Sequence, residues 1–493
     1  MKYKFMVAIF FVLLSSSYSQ QNEKKHVVIC FDVEDYITPE SDSIDALPKW
    51  MAEIMTEEGV KGMFFVIGEK ARSLENRKRT DVIKAMAKHD IGSHTNWGSI
   101  HPTITEVLEK MNFKDGLKLI KKREGEGFKD LERVFGKSIT AFGRHGGSYG
   151  PQLVAALSEM NAGYIYTPIF LPGHYASWFC NTINFYGEGD IRFDDTYHKD
   201  KTFNPMLDSL KCTLSSLLED TDGLTFFACH PCKVRTVQYW DFNYYYGVNR
   251  DSVDWKTPEL RPRETMATAR KNFRKLIQFF KSRDDIELTT FNELMKLYSY
   301  QRAEINSAEL NKIAQRILTE KTVVIDDYYS PAETFSALAE MIINNTNGTF
   351  PKEVKITRPF GPLTMPQVVP SLKSVSKESV VVLAQKALDY IKKENSIPAS
   401  LNCKGEAVGT GSLLALFSQY FVDMYNNKIS DVYTLQPFDA YPHKNEEAII
   451  QNISNYKTWP VHRKNLDMTN LIEMTKMQLW TLKPAWSNKA VAN

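Results

Sequence analysis

From Lys25 to about Tyr298, short apolar runs alternate with longer segments of mixed polar and apolar residues. Such alternation folds into strands and helices in turn, with a mostly parallel sheet or barrel. The strand candidates include Val27–Phe31, Gly62–Ile67, Tyr164–Tyr166, Leu224–Cys229 and Glu287–Thr290. Helical periodicity falls between them, from Ser43 to Glu58, Thr80 to Lys88, Asp115 to Phe135, Gln152 to Met160 and Arg263 to Ser282. Acids and histidines stand just after the apolar runs, where the carboxyl ends of parallel strands form an active face. The first run is the most informative, because Asp32, Glu34 and Asp35 follow Val27–Phe31 directly. Carboxylates delivered to a cleft need a cation, hydrogen bonds or a catalytic task. A solvated acidic turn is the plain alternative.

The N-terminus reads Met1-Lys2-Tyr3-Lys4, an almost wholly apolar stretch from Phe5 to Leu14, then Ser15 to Ser19 with small residues. This is a secretory signal cut after Ser19. Its apolar core is shorter than the roughly 20 residues needed to span a bilayer, and no later stretch comes close, so a soluble exported protein without a transmembrane segment is expected. No cysteine follows the cleavage position, which argues against a lipid anchor. A formal charge of +2 with 24% charged residues gives no reason to expect nucleic acid or a membrane surface as partner. The chain, at 493 residues, has room for two or three cores. Six irregularly spaced cysteines make no small disulfide framework, and Cys229 with Cys232 lacks the second pair of a structural zinc site. Oligomeric state is left open.

Past Tyr298 the texture changes, and residues 301–493 read as a smaller α+β region. Asn306 with Glu309 and Ser330-Pro331-Ala332-Glu333 are helix-start signals. Pro351 to Pro370 should be extended and irregular. Val323 to Ala339 is loosely echoed by Ser400 to Met424, a weak repeat that chance would also produce. His443 and His462 stand alone, and Trp459, Trp480 and Trp486 are expected in the core, with a sugar-stacking face as the alternative.

Three further segments sharpen the opening acids. These are Gly92-Ser93-His94-Thr95 through His101-Pro102-Thr103, then Gly143-Arg144-His145-Gly146-Gly147-Ser148-Tyr149, then Leu224 through Cys229-His230-Pro231. In this order and at these separations they resemble the polysaccharide deacetylase family of carbohydrate esterases, the chitooligosaccharide deacetylase-like proteins. Gly62-Met63-Phe64-Phe65-Val66-Ile67-Gly68 is similar to the family's "ATFFVxG" strand. The resemblance covers residues 25–298, and residues 301–493 lie outside it.

The resemblance implies a distorted (β/α)7-8 barrel in which a divalent metal, zinc, activates a water that attacks an acetyl carbonyl. It implies Asp32 as the general base, with an acid soon after it on the metal. In place of the usual Asp-Asp pair the chain has Val33, so Glu34 is the metal candidate and Asp35 the second choice. In a strand Asp32 and Glu34 share a face, which favours Glu34. The family's His-Thr-x-x-His motif supplies two ligands one helical turn apart, and here His94 is followed by Gly98 where the second histidine should stand. His101 lies seven residues after His94, about 10.5 Å along a helix, so only a looped backbone would bring it in. A site of Glu34, His94 and waters, or no metal at all, are the other outcomes. Arg144 resembles the arginine that orients the base, and His230 the histidine that protonates the leaving group. Asp194 or Asp195 would tune His230, and His145 lines the cleft or is merely structural. The run Tyr239 to Tyr246 offers flat faces for sugar rings or fills a core. The expected function is exported deacetylation of an acetylated polysaccharide or peptidoglycan-like glycan. The alternative is a deacetylase-fold glycan-binding module that has lost its ion.

Overall fold

The computed structural model describes residues 24–186, 191–220, 223–346 and 350–488, so the expected secretory signal at residues 1–19 lies outside the described residues. No helix among the described residues is long and apolar enough to cross a membrane.

Among the described residues, the alternation read from the sequence becomes an eleven-stranded, mostly parallel sheet. Its first ten strands are β1 (Lys25–Val33), β2 (Met63–Val66), β3 (Asp90–Ser93), β4 (Ala141–Gly143), β5 (Gly163–Thr167), β6 (Ala176–Phe179), β7 (Thr182–Tyr186), β8 (Ile191–Arg192), β9 (Leu224–Cys229) and β10 (Ile286–Thr289). β1 is central and apolar on both faces, as a strand covered by helices must be. It pairs in parallel with β9 on one side, and on the other with β10 along its first half and β2 along its second. The register aligns Val33 with Val66, Val66 with Ser93, and Ser93 with Phe142. The residues just beyond β1, β3 and β4 therefore emerge at one level of the barrel.

Helices cover the sheet through apolar stripes. Helix Phe113–Phe135 buries Phe113, Ile120, Phe128, Leu131 and Phe135 at helical spacing, starts with the Asn112 side chain accepting from the Asp115 N–H, and ends on Gly136 at φ 63°. Its buried Glu124 accepts the Asn96 N–H at 2.7 Å, which ties the loop after β3 to the helix behind it. Burial pushes the Glu124 carboxyl up to about 7.

The C-terminal region has its own core but does not stay apart. Strands β11 (Glu304–Asn306) and β12 (Glu353–Lys355) pair antiparallel around helices Ser307–Glu320 and Pro331–Asn345. Strands β13 (Ser374–Ser376) and β16 (Val432–Thr434) do the same around Lys377–Glu394 and Thr410–Tyr425, with the hairpin β14 (Ser400–Cys403) and β15 (Glu406–Gly409) inserted. Both units run strand, helix, helix, strand, but Val323–Ile325 forms no strand to match β14, so only helices Pro331–Asn345 and Thr410–Tyr425 correspond in the sequence echo. The Pro351–Pro370 stretch is extended apart from β12 and short bends.

After residue 440 the chain returns to the barrel. Ile449, Ile453, Leu471, Met474 and Leu482 belong to the barrel's apolar core. Strand β17 (Lys483–Pro484) adds antiparallel to the sheet edge at β6. A boundary at 298 therefore does not separate the two regions structurally, because the last stretch of chain completes the first core.

His462 sits in this returning segment, 2% exposed, with Nδ1 3.1 Å from the Thr103 hydroxyl. Burial pushes its pKa down to about 4. An unfolded histidine titrates near 6.5, so the neutral ring favours the fold. That contribution is present above pH 6.5 and is lost as pH falls toward 4, by about 3 kcal/mol. The loss of melting temperature between pH 7 and 4.5 should be smaller in His462→Gln than in the unmodified protein; equal losses would contradict this account.

Candidate functional site

Four strand ends deliver the site. Asp32 and Glu34 lie at and just past the end of β1, His94 follows β3, His145 lies two residues past β4, and His230 follows β9. All five are buried. Glu34 Oε1 is 3.4 Å from His94 Nε2, 3.6 Å from His145 Nδ1 and 3.6 Å from His230 Nε2. Asp32 Oδ2 is 3.4 Å from His230 Nε2 and 4.0 Å from His94 Nε2.

The outward hydrogen bonds of the histidines decide which nitrogens face inward. His94 Nδ1 lies 2.9 Å from the Gly143 carbonyl, which can only accept, so Nδ1 carries the proton and Nε2 presents a lone pair to Glu34. His145 Nε2 is 2.8 Å from Ser99 Oγ, and Ser99 in turn donates to Asp241 Oδ2 at 3.4 Å. That relay leaves His145 Nε2 as donor and His145 Nδ1, buried and without a hydrogen-bond partner, as a second lone pair aimed at Glu34. The remaining Glu34 oxygen accepts the indole N–H of buried Trp240 at 2.8 Å. Burial acts to raise the Glu34 pKa, but charge and hydrogen bonds from His145, His94 and His230 in their protonated forms outweigh it and hold the carboxyl well below its ordinary range.

In the neutral tautomers that these outward bonds select, three acceptor atoms meet with no proton among them. Such an arrangement calls for a cation, and Glu34, His94 and His145 form a group whose ligand atoms all lie within 4.8 Å of one another. The separations of 3.4 and 3.6 Å from Glu34 Oε1 are those expected between neighbouring ligands at about 2.1 Å from a tetrahedral ion. One carboxylate and two imidazoles are a donor set that suits zinc and similar divalent ions. Asp32, Glu34 and His230 form a second such group.

His230 is held by a neighbouring acid. Asp194 accepts its backbone N–H through Oδ1 and its Nδ1–H through Oδ2, both at 2.8 Å. Burial would lower the pKa of His230, but Asp194, Glu34 and Asp32 push it up to about 10. A protonated Nε2 therefore faces Asp32. Asp195 pairs instead with Arg261 at 2.6 Å and Lys233 at 3.2 Å. The open choice between the two aspartates falls to Asp194.

Other sequence expectations change. Asp35 points away from the cleft and accepts from the backbone of Ile37 and Thr38 and from the Thr38 hydroxyl. His101 is not brought to the site: Glu106 binds Nδ1 at 2.7 Å and the Tyr244 carbonyl binds Nε2 at 2.7 Å, so neither ring nitrogen is left to ligate. The helical turn assumed after His94 does not form, because Thr95 and Gly98 both have positive φ. A side chain at 98 would also put Cβ 2.8 Å from Ile67 Cδ1, in space bounded by Trp240. Arg144 reaches the cleft but is not paired with Asp32. Its guanidinium lies 4.0 Å over the Tyr456 ring and its Nε donates to the Tyr166 carbonyl, a perch supplied by the returning C-terminal segment.

The aromatic run divides between core and cleft. Trp240 and Tyr244 are buried, whereas Tyr239 and Tyr245 line the cleft. Of the C-terminal tryptophans, Trp480 is buried with its indole on the Ala440 carbonyl, and Trp486 donates to the Asp327 carbonyl. Trp459 lines the cleft. The six cysteines are free thiols. Sequence reading passed over His145 as a ligand, although a histidine two residues past an apolar strand was a usable signal.

Residues 19–164 match the polysaccharide deacetylase family model, so the barrel is of that type. Among solved structures, a polysaccharide deacetylase described as putative, from Mycobacterium smegmatis, is similar at 14% identity and a TM-score of 0.36, covering 56% of this chain and 91% of its own. A family 4 acetyl xylan esterase from Clostridium thermocellum, solved with a cobalt ion, is similar at 15% and 0.31, covering 56% and 92%. A family 4 pseudoenzyme from Bacillus anthracis is similar at 11% and 0.33, covering 56% and 66%. No curated protein matches the chain.

Zinc titration separates the histidines. His145→Ala should weaken zinc binding by more than about 100-fold, Ser99→Ala by about 10- to 100-fold through loss of the relay, and His101→Ala not at all. Retained affinity in His145→Ala with loss in His101→Ala would reverse the assignment.

Proposed function

We propose that this chain is an exported, metal-dependent hydrolase that removes acetyl groups from a polysaccharide or peptidoglycan-like glycan. Support for export comes from the N-terminal segment, and support for the chemistry from the family match to residues 19–164. The observation that carries the reading is the meeting of three buried acceptor atoms, Glu34 Oε1, His94 Nε2 and His145 Nδ1, beside the Asp32–His230 pair.

Glu34, His94 and His145 would hold the divalent ion, zinc in this reading, and its chemistry there is to make water nucleophilic near neutral pH and to polarise the acetyl carbonyl. Asp32 takes the proton of the attacking water. Its Oδ1 is buried and without a hydrogen-bond partner, so a free lone pair awaits that proton. His230 stands opposite and delivers a proton from Nε2 to the departing amine or alkoxide. Asp194 grips its other nitrogen, which fixes the ring and keeps the proton on the side that faces the reaction. Trp240 steadies Glu34 from the far side, so the carboxylate keeps one oxygen turned to the histidines. Arg144 and Arg192 add positive charge to the cleft rim.

The test is acetate release from N- and O-acetylated glycans. Asp32→Asn and His230→Ala should each lower kcat by about 100- to 10,000-fold while the bound zinc remains. Zinc-loaded protein that binds glycan yet releases no acetate would replace this reading with the binding-module one.

A further inference from the structure

We infer that the C-terminal region supplies a sugar-stacking platform to the barrel's cleft, with Trp459 as the ring that receives it, so that the substrate is an oligomer gripped beyond its acetylated residue. The inference rests on the deacetylase reading and names its substrate class.

Trp459 is 42% exposed, whereas Trp480 in the same region is fully buried. An exposed indole offers a large flat apolar face with one polar N–H to whatever enters beside it. Trp459 borders the cleft that holds Asp32, Glu34 and His230. It is also fixed there. Its N–H bonds to the Tyr456 carbonyl at 3.1 Å, its carbonyl accepts the His462 N–H at 3.0 Å, and the next residue, Pro460, accepts the Tyr246 N–H at 2.7 Å. On one side the ring lies against the glycine pair after β4: a Cβ on Gly146 would come within 3.4 Å of Trp459 Nε1, and one on Gly147 within 3.5 Å of Trp459 Cβ. Both glycines have positive φ, so larger residues there would be strained as well as crowded. The loop that carries His145 is thus moulded onto the tryptophan.

The chemistry of the rim fits a pyranose. Trp459, Tyr239 and Tyr245 line the cleft as flat rings, and such faces take the C–H side of a sugar while its hydroxyls stay wet. Tyr239 packs edge-on to His230 with ring centroids 5.1 Å apart, beside the proton donor. Trp459 comes from a different stretch of chain, held by Arg463 on Glu109 and by the Arg463 N–H on Glu106 at 2.8 Å. A platform supplied from there would act on sugars flanking the acetylated one.

The experiment compares zinc-loaded wild type, Trp459→Ala and Trp459→Phe on 4-nitrophenyl acetate and on mono- and tetrameric forms of three probes: N-acetylchitosugars, acetylated xylosugars and peptidoglycan fragments. Trp459→Ala should raise KM for the preferred tetramer by about 10- to 100-fold more than it changes KM for the monomer or the ester, and Trp459→Phe should restore most of that difference. A tetramer preference untouched in Trp459→Ala, or none in wild type, overturns the platform. If wild type hydrolyses neither ester nor glycan, the deacetylase reading fails separately. Titration of the tetramers into the same proteins then decides the platform: binding lost in Trp459→Ala supports it, and binding unchanged or absent in wild type overturns it.

Discussion

A fully buried carboxylate ringed by imidazoles is the constraint around which this barrel is arranged. Glu34 cannot stay ionised away from water unless positive charge or donors match it. One oxygen is matched by the Trp240 indole, and the other faces three ring nitrogens. Each histidine is turned by a partner behind it: the Gly143 carbonyl for His94, Ser99 with Asp241 for His145, and Asp194 for His230. These partners lie on different strands and loops. The parallel register is what brings them level, since Val33, Val66, Ser93 and Phe142 lie side by side across β1 to β4. A shift of one residue between β3 and β4 would move His145 away from His94 and from Glu34.

Much of this was legible in the chain and some was not, for physical reasons. Strand ends with acids and histidines identify Asp32, Glu34, His94 and His230, because a short apolar run fixes where its last residue emerges. The two-residue alternation in a strand also separated Glu34 from Asp35, which is consumed by its own turn. The third nitrogen was hidden because sequence proximity is a poor guide inside a loop. His101 is near His94 in number but is claimed by Glu106 and Tyr244, whereas His145, 51 positions further on than His94, meets Glu34 through sheet register. At Gly98 a Cβ would come within 2.8 Å of Ile67 Cδ1 and 3.5 Å of the Trp240 ring, and no local pattern discloses neighbours 31 and 142 positions away.

The return of the chain after residue 440 was equally illegible, since its apolar residues have no periodicity that names the barrel as their partner. Its consequences for the cleft are direct: Tyr456 carries Arg144, and His462 packs under the glycine pair. The first C-terminal unit is joined to this segment by a buried ion pair, Lys483 with both oxygens of Glu333 at 2.7 and 2.8 Å. Glu333 is also the capping acid of helix Pro331–Asn345 and lies 3.2 Å from Arg358. Breaking such a pair from one side leaves a charge stranded, so it ties the position of β17 to that helix.

Strand β17 has a bearing on how the molecule is made. Its pairing with β6 joins chain positions 483–484 and 177–178, so the sheet edge stays bare until synthesis has reached residue 484. Synthesis runs at about 5–20 residues per second, so β6 waits about 15 to 60 seconds for the segment that covers its edge. During that interval the nascent chain is an unfinished sheet, a form that a chaperone can still hold.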